Sequence, residues 1–328
     1  MNLHCISRRA LLAGAAALLV LPALAQNFPS RPIKIIVAFA PGGSADTIAR
    51  LYGQKMSELL NTPVIIDNKP GANQINAIRA LMTAPPDGYT LYAGTGSSLV
   101  QNPALRTGLP YDPVKDFTLI GLAVNNPGVI FVSPKLPVHN IRELVAYGQA
   151  NPGKLNYGSA GLGTAGHLAA EALMAATGLK MTHVPYKADA EVIREVVAGN
   201  VHVGIMTTLN TVAAVKAGQI RAIAVTTDKR LPYLPEVQAL PEAGLANLGA
   251  LVPHTFIGFV GPAGMPPAVV AKLNDAINKV STTPEAADRI RNTLNAEPET
   301  STPASFRQFV DRQLATWREI GKTVKLPE

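Results

Sequence analysis

The sequence predicts an α/β protein of two domains, each a mostly parallel sheet flanked by helices. Three observations carry that expectation. Short apolar, β-branched runs alternate with amphipathic stretches of helical period along most of the chain. Loops rich in glycine and serine recur where a strand gives way to a helix. The length of 328 residues is enough for two separate cores. Residues 26–124 open a first domain, and Asn125-Asn126-Pro127-Gly128 marks the crossing into a second, 125–251. The chain is expected to return near 252, so that 252–328 rejoin the first domain.

The opening unit sets the pattern. Ile33-Lys34-Ile35-Ile36-Val37-Ala38-Phe39 is an apolar, β-branched run of the kind buried on both faces of a parallel sheet. A helix follows with Ala45, Ile48, Ala49, Tyr52, Met56, Leu59 and Leu60 on one face. Between them Ala40-Pro41-Gly42-Gly43-Ser44 forms a strand-to-helix turn, where converging amides and the helix dipole suit a carboxylate or phosphate. A tight turn alone would also ask for Gly42 and Gly43, so the motif stays open at this point.

The rhythm then repeats. Val64-Ile65-Ile66 is a strand, Asn73 to Met82 a helix, Tyr89 to Ala93 a strand, and Gly94 to Ser98 a second small-residue loop. Phe117 to Val124 and Val129 to Val132 are apolar runs on either side of the crossing. In the second domain a helix at Ile141 to Gln149 and a strand at Leu155-Asn156-Tyr157 lead to the loop Gly158 to Thr164 and a helix through Leu168 and Leu173. Strands at Met181 to Val184, Val201 to Met206 and Ile220 to Val225 alternate with helices at Glu191 to Ala198 and Leu209 to Ala217. Past an irregular Pro- and Leu-rich stretch, Phe256 to Val260 is a strand. Pro266 to Val280 and Pro303 to Ile320 are helices whose prolines suit helix starts.

Composition narrows the class. Hydrophobic residues make up 47% and charged residues 16%, which excludes a disordered chain. The net charge of +7 is spread without a dense basic block, so no nucleic-acid surface is expected; it serves solubility and gives at most a mild pull on anions. Residues 1–25 read as a signal peptide: Arg8-Arg9 in a twin-arginine setting, an apolar run from Ala10 to Leu24, and Ala23-Leu24-Ala25 before a mature start near Gln26. The run is too short to span a bilayer comfortably. Cys5, the only cysteine, lies in that segment, so the mature chain has no disulfide or thiolate chemistry.

The motifs together resemble the periplasmic solute-binding proteins of tripartite tricarboxylate transporters, the Bug receptors. The resemblance covers essentially the whole mature chain. It is carried by Phe28 to Pro32, Phe39 to Asp46, Asn68 to Ala72, Ala84 to Leu91, Leu109 to Phe117, Ala150 to Tyr157, His183 to Lys187, and Gly261 to Gly264. It implies a two-domain Venus-flytrap clamp with the ligand in the interdomain cleft. It also implies a carboxylate ligand, delivery to a membrane permease, no cofactor and no chemistry. The loops of such a clamp would be Ala40 to Ser44 and Thr95 to Ser98 from the first domain and Ser159 to Thr164 from the second. The chain departs from the family pattern at Ala40, at Asn73-Gln74-Ile75-Asn76, at Ala188-Asp189-Ala190-Glu191, and at Met206-Thr207-Thr208, where many relatives carry an aspartate.

On this reading one carboxylate is held by the amides of residues 42–44 and 159–164, with hydroxyls of Ser44, Ser97, Ser159 and Thr164 orienting it. The expected binding set is Phe39, Ala40, Gly42, Gly43, Ser44, Asp46, Thr95, Ser97, Ser98, Ser159, Gly163, Thr164, Thr207, Thr208 and Phe256. Asp46 can equally complement its helix dipole, and Phe256 can equally be core. The threonines at 207–208 offer only neutral hydrogen bonds, which favours a non-amino acid, a dicarboxylate or aromatic acid. The protein is expected to act as a monomer in the periplasm.

The rival class is an exported enzyme, a hydrolase or dehydrogenase acting on a small acid. It lacks support in the residues. Gly161-Leu162-Gly163-Thr164-Ala165-Gly166 spells a dinucleotide fingerprint, but the next strand ends in His183-Val184-Pro185-Tyr186 without the acid such a site needs. No Gly-x-Ser-x-Gly elbow occurs. His167 and Glu171, one helical turn apart, are too few for a metal, and His167 is expected to pack behind the 158–164 loop.

Overall fold

The computed structural model describes residues 28–227, 229–244 and 255–322. The signal segment, Cys5, the start near Gln26 and the return near 252 lie outside the described residues. Two sheets organise the rest. The first has the order β11-β4-β10-β3-β1-β2, with β1 Ile33–Val37, β2 Val64–Asn68, β3 Thr90–Thr95, β4 Phe117–Asn126, β10 Thr255–Pro262 and β11 Glu297–Pro298. The second has the order β7-β6-β8-β5-β9, with β5 Gly128–Val132, β6 Asn156–Ser159, β7 Thr182–Pro185, β8 Val203–Thr207 and β9 Arg221–Val225.

Both sheets are mixed. β1 runs parallel to β2 and β3, and β6 runs parallel to β7 and β8. The antiparallel pairs are β10 against β3 and β4, β11 against β4, and β5 against β8 and β9. Only Pro127 separates the end of β4 at Asn126 from the start of β5 at Gly128. Thr255, at the start of β10, pairs with Asn126. The strand that leaves the first sheet therefore lies beside one that re-enters it.

Side-chain alternation places helices on both faces of each sheet. Ile33, Ile35 and Val37 face a core shared with the helices Ser44–Leu60 and Pro267–Thr282, whereas Ile36 faces one shared with Ile75–Met82 and Pro303–Gly321. In β5, Ile130 and Val132 pack one way and Val129 and Phe131 the other. This explains the near-continuous apolar strands in the sequence.

Two local expectations need correction. The helix expected from Asn73 begins at Ile75, because Ala72, Asn73 and Gln74 take positive φ values of 47°, 50° and 74°. Gln74 is held there by its side chain, whose Nε2 donates to Ser97 Oγ at 2.8 Å while Oε1 accepts from Thr95 Oγ1 at 3.0 Å. The stretch Gly94 to Ser98 is not a loop: β3 continues through Thr95, and a wide π-helical turn starts at Ser97. No described helix is long and apolar enough to cross a membrane.

Candidate functional site

Between the sheets lies a cavity of about 490 Å³, a size suited to one small molecule. Four helices start on it: Ser44–Leu60, Ala165–Thr177, Asp189–Ala198 and Thr208–Lys216. Their N-cap residues Gly43, Thr164, Ala188 and Thr207 all line the cavity, and none caps its helix with a side-chain hydrogen bond. By helix geometry the first-turn N–H groups have no internal acceptors, and each helix start carries partial positive charge. Thr207 Oγ1 is buried without a partner among the described residues. The walls are apolar: Phe39, Phe256, Ile257, Ile193, Ile205 and Met206. Phe256 is fixed from behind by Phe309 in an edge-on contact at 4.9 Å.

The structure sorts the expected residues into two sets. Phe39, Ala40, Gly42, Gly43, Ser44, Thr95, Ser97, Thr164, Thr207 and Phe256 line the cavity. Asp46, Ser98, Ser159, Gly163 and Thr208 stand behind it and shape the loops. Asp46, buried, accepts from Gly42 N–H at 2.9 Å, Arg50 Nε at 2.9 Å and Asn68 Nδ2 at 2.8 Å. Burial alone would raise its carboxyl, but these bonds outweigh burial and hold it below the usual carboxylate range. Asp46 thus takes up the Gly42 amide that the sequence assigned to a ligand, and Gly42 can turn there because it sits at φ +89°.

In the second sheet's loop the amides are likewise engaged. Gly161 N–H donates to Ser159 Oγ at 3.2 Å, and Gly163 N–H to His167 Nδ1 at 3.2 Å. Ser159 is fully buried, and its hydroxyl lies 2.7 Å from His183 Nε2. Ser98 closes a small turn, taking the Thr95 N–H at 3.1 Å. Thr208 donates to the carbonyls of the first unit, at Asn295 O and, at 3.4 Å, to Asn126 Oδ1. The open position in this half is therefore the helix start at Ala165-Gly166 rather than residues 159–164, since the Thr208 N–H donates to Pro127 O at 2.8 Å.

His167, buried under the loop, accepts from Gly163 at Nδ1, while Nε2 points at Glu171 4.0 Å away. Burial, with His183 and Arg106 nearby, pulls its pKa from 6.5 to about 4, so the ring is neutral at physiological pH. Among the described residues no group of three His, Cys, Asp or Glu side chains forms a metal-binding cluster.

Sequence reasoning missed Asn126, Lys187, Asp189, Asn210 and Thr226, all on the cavity. Asn126 and Thr226 act at the crossing: Asn126 Nδ2 donates to Ser44 Oγ at 2.6 Å, and Thr226 Oγ1 accepts from Gly128 N–H at 2.8 Å. The stretch 188–191 stood out in the sequence as a departure, which was a signal for Asp189. Nothing in the local pattern marks Asn210.

The model of the tripartite tricarboxylate transporter family receptor matches residues 48–326. A UPF0065 protein of Bordetella pertussis is 37% identical over 292 residues, covering 88% of each chain. Among solved structures, R. palustris Rpa4515 with adipate superposes with a TM-score of 0.84 at 31% identity, covering 90% of this chain and 98% of that one. The periplasmic binding protein BugD does so with a TM-score of 0.83 at 30% identity, covering 91% and 100%.

Proposed function

The chain belongs to the tripartite tricarboxylate transporter receptor family, and from that premise we propose that it captures one small organic carboxylate in the cavity between its sheets and hands it to a membrane permease. The observation that carries this reading is the convergence of four helix starts without side-chain caps on one small cavity whose walls include Phe39, Phe256, Ile193 and Ile205. Such a site holds carboxylate oxygens with N–H donors and covers the carbon skeleton with Phe39, Phe256 and the Ile193–Ile205 side. The relative with bound adipate supports a ligand of this class and size.

The protein works as a monomeric receptor in the periplasm, exported by residues 1–25 and matured near Gln26. Its two domains are 26–124 with 252–328, and 125–251. It performs no chemistry on its ligand. In support, the Ser159–His183 pair, the nearest thing to a nucleophile and base, lies behind the cavity and is absent from its lining. A thermal-shift panel of dicarboxylates, aromatic acids, amino acids and sugars tests the reading. A ligand at ~100 times its Kd adds about 2.7 kcal/mol, and each kcal/mol raises the Tm by roughly 2–4 °C at this size. Shifts with sugars alone, or conversion of a bound acid to product, would refute it.

A further inference from the structure

Among the described residues only two cavity-lining side chains carry a formal charge, Lys187 and Asp189. Asp189 opens the helix Asp189–Ala198, beside a ring of helix starts that favour anions. The acid at the Ser44–Leu60 start, Asp46, is turned into the protein and accepts three hydrogen bonds. Asp189 accepts one, from Asn210 Nδ2 at 2.5 Å, and makes no ion pair among the described residues. The neighbouring charges are engaged elsewhere or stand apart. Glu191 receives the Lys187 N–H at 3.1 Å, Arg194 lies 3.6 Å from Glu195, and Lys187 forms no ion pair with Asp189. One oxygen of Asp189 is therefore left to the cavity.

We infer that Asp189 sets the ligand preference of this receptor by accepting a hydrogen bond from a ligand ammonium, so that the favoured ligand is an amino acid with an acidic or polar side chain. The inference rests on the carboxylate reading above and adds the second charge. A ligand carboxylate is disfavoured at Asp189, because two like charges would share one partly enclosed site. A neutral ligand would leave the carboxylate desolvated and half-satisfied, which is costly. An ammonium removes both penalties with a charge-assisted bond, while the ligand's carboxylates occupy the helix starts at Ser44 and Ala165. Burial already holds the Asp189 carboxyl above its usual range, opposed by the Asn210 bond, as expected for an acid that lacks its cation. The acid whose absence at 207–208 favoured a non-amino ligand is thus supplied from a neighbouring helix.

Matched pairs test this: succinate against aspartate, glutarate against glutamate, and adipate against 2-aminoadipate. Each is titrated by calorimetry into the wild-type protein and into Asp189→Asn. The wild type is expected to bind at least one amino member roughly tenfold or more tighter than its partner, the usual scale of a hydrogen bond to a charged group. Asp189→Asn removes that preference at unchanged Tm. Lowering the pH toward the range in which Asp189 protonates erodes the preference in the wild type and not in the variant. Carboxylate binding with no amino preference, or a preference that survives Asp189→Asn, overturns the Asp189 assignment alone. No binding by any member of the pairs overturns the inference, and the carboxylate reading falls with it only if the aromatic acids of the thermal-shift panel give no shift either.

Discussion

Asn126 Nδ2 donates to Ser44 Oγ at 2.6 Å, tying the last residue of β4 to the first residue of the Ser44–Leu60 helix. Its Oδ1 accepts from Thr208 Oγ1 on the other side of the crossing. One side chain thus joins two of the helix starts that face the cavity, at the point where the chain passes between sheets. Asn126→Ala should cost about 1–2 kcal/mol, the scale of a broken buried hydrogen bond. It should also weaken ligand binding by loosening Ser44. Urea unfolding and calorimetry on the same protein give both numbers. Unchanged stability and affinity would show that Asn126 does not hold the site.

Gly43→Asp should abolish ligand binding without loss of fold. Gly43 sits at the N-cap with φ −78°, and an added Cβ there meets nothing nearer than Ala40 O at 3.8 Å. Aspartate is a good N-cap, so stability should hold or rise by a few tenths of a kcal/mol. Its carboxylate would compete with the ligand for the same N–H groups. The expected result is an unchanged Tm with no ligand-induced shift; a retained shift counts against the Ser44 helix start as the anion site.

Gly166→Ala should destabilise by roughly 1–3 kcal/mol, as overpacking does. A Cβ at Gly166 would lie 2.4 Å from the backbone oxygen of Ile205, which cannot swing aside as a side chain would. The Ala165 helix start would have to back away from β8, widening the cavity. Chemical denaturation measures the stability loss, and a wild-type midpoint would show that the helix can shift freely.

Stability should fall as the pH drops from about 6.5 toward 4. His167 titrates at 6.5 when unfolded but at about 4 in the folded protein. Between those values the unfolded chain binds the extra proton, so the folded state loses ground as pH falls. The full shift corresponds to about 3 kcal/mol at ~1.36 kcal/mol per unit. His183 and His202, both lowered by burial, add to the same trend. Thermal melts across this range should show a shallower slope in His167→Gln; an equal slope would remove His167 as a contributor.

Protein recovered from the periplasm should have an intact mass that lacks residues 1–25, the outcome expected if Arg8-Arg9, the apolar run and Ala23-Leu24-Ala25 act as an export signal. A mass that includes Met1 would contradict processing near Gln26.

The strands and helices were legible in the sequence because each is a local pattern. Ile33 to Val37 needs only its own apolar run to declare a strand buried on both faces, and the turn at residues 40–44 announces a helix start by composition. The order of family motifs then fixed the class of receptor, since many weak matches in sequence leave few alternatives. The tertiary structure decided which groups face the cavity. Asp46 and Ser159 look like ligand groups in the sequence, yet the fold turns both inward, where hydrogen bonds to Gly42, Arg50, Asn68 and His183 satisfy them. Asp189 and Asn210 lie 21 residues apart and meet at 2.5 Å. They meet because the helices that carry them both begin at the C-terminal ends of strands opening on the cavity. Whether a polar group is used up within the protein or left for a ligand depends on partners distant in sequence, and that is settled only when the chain is packed.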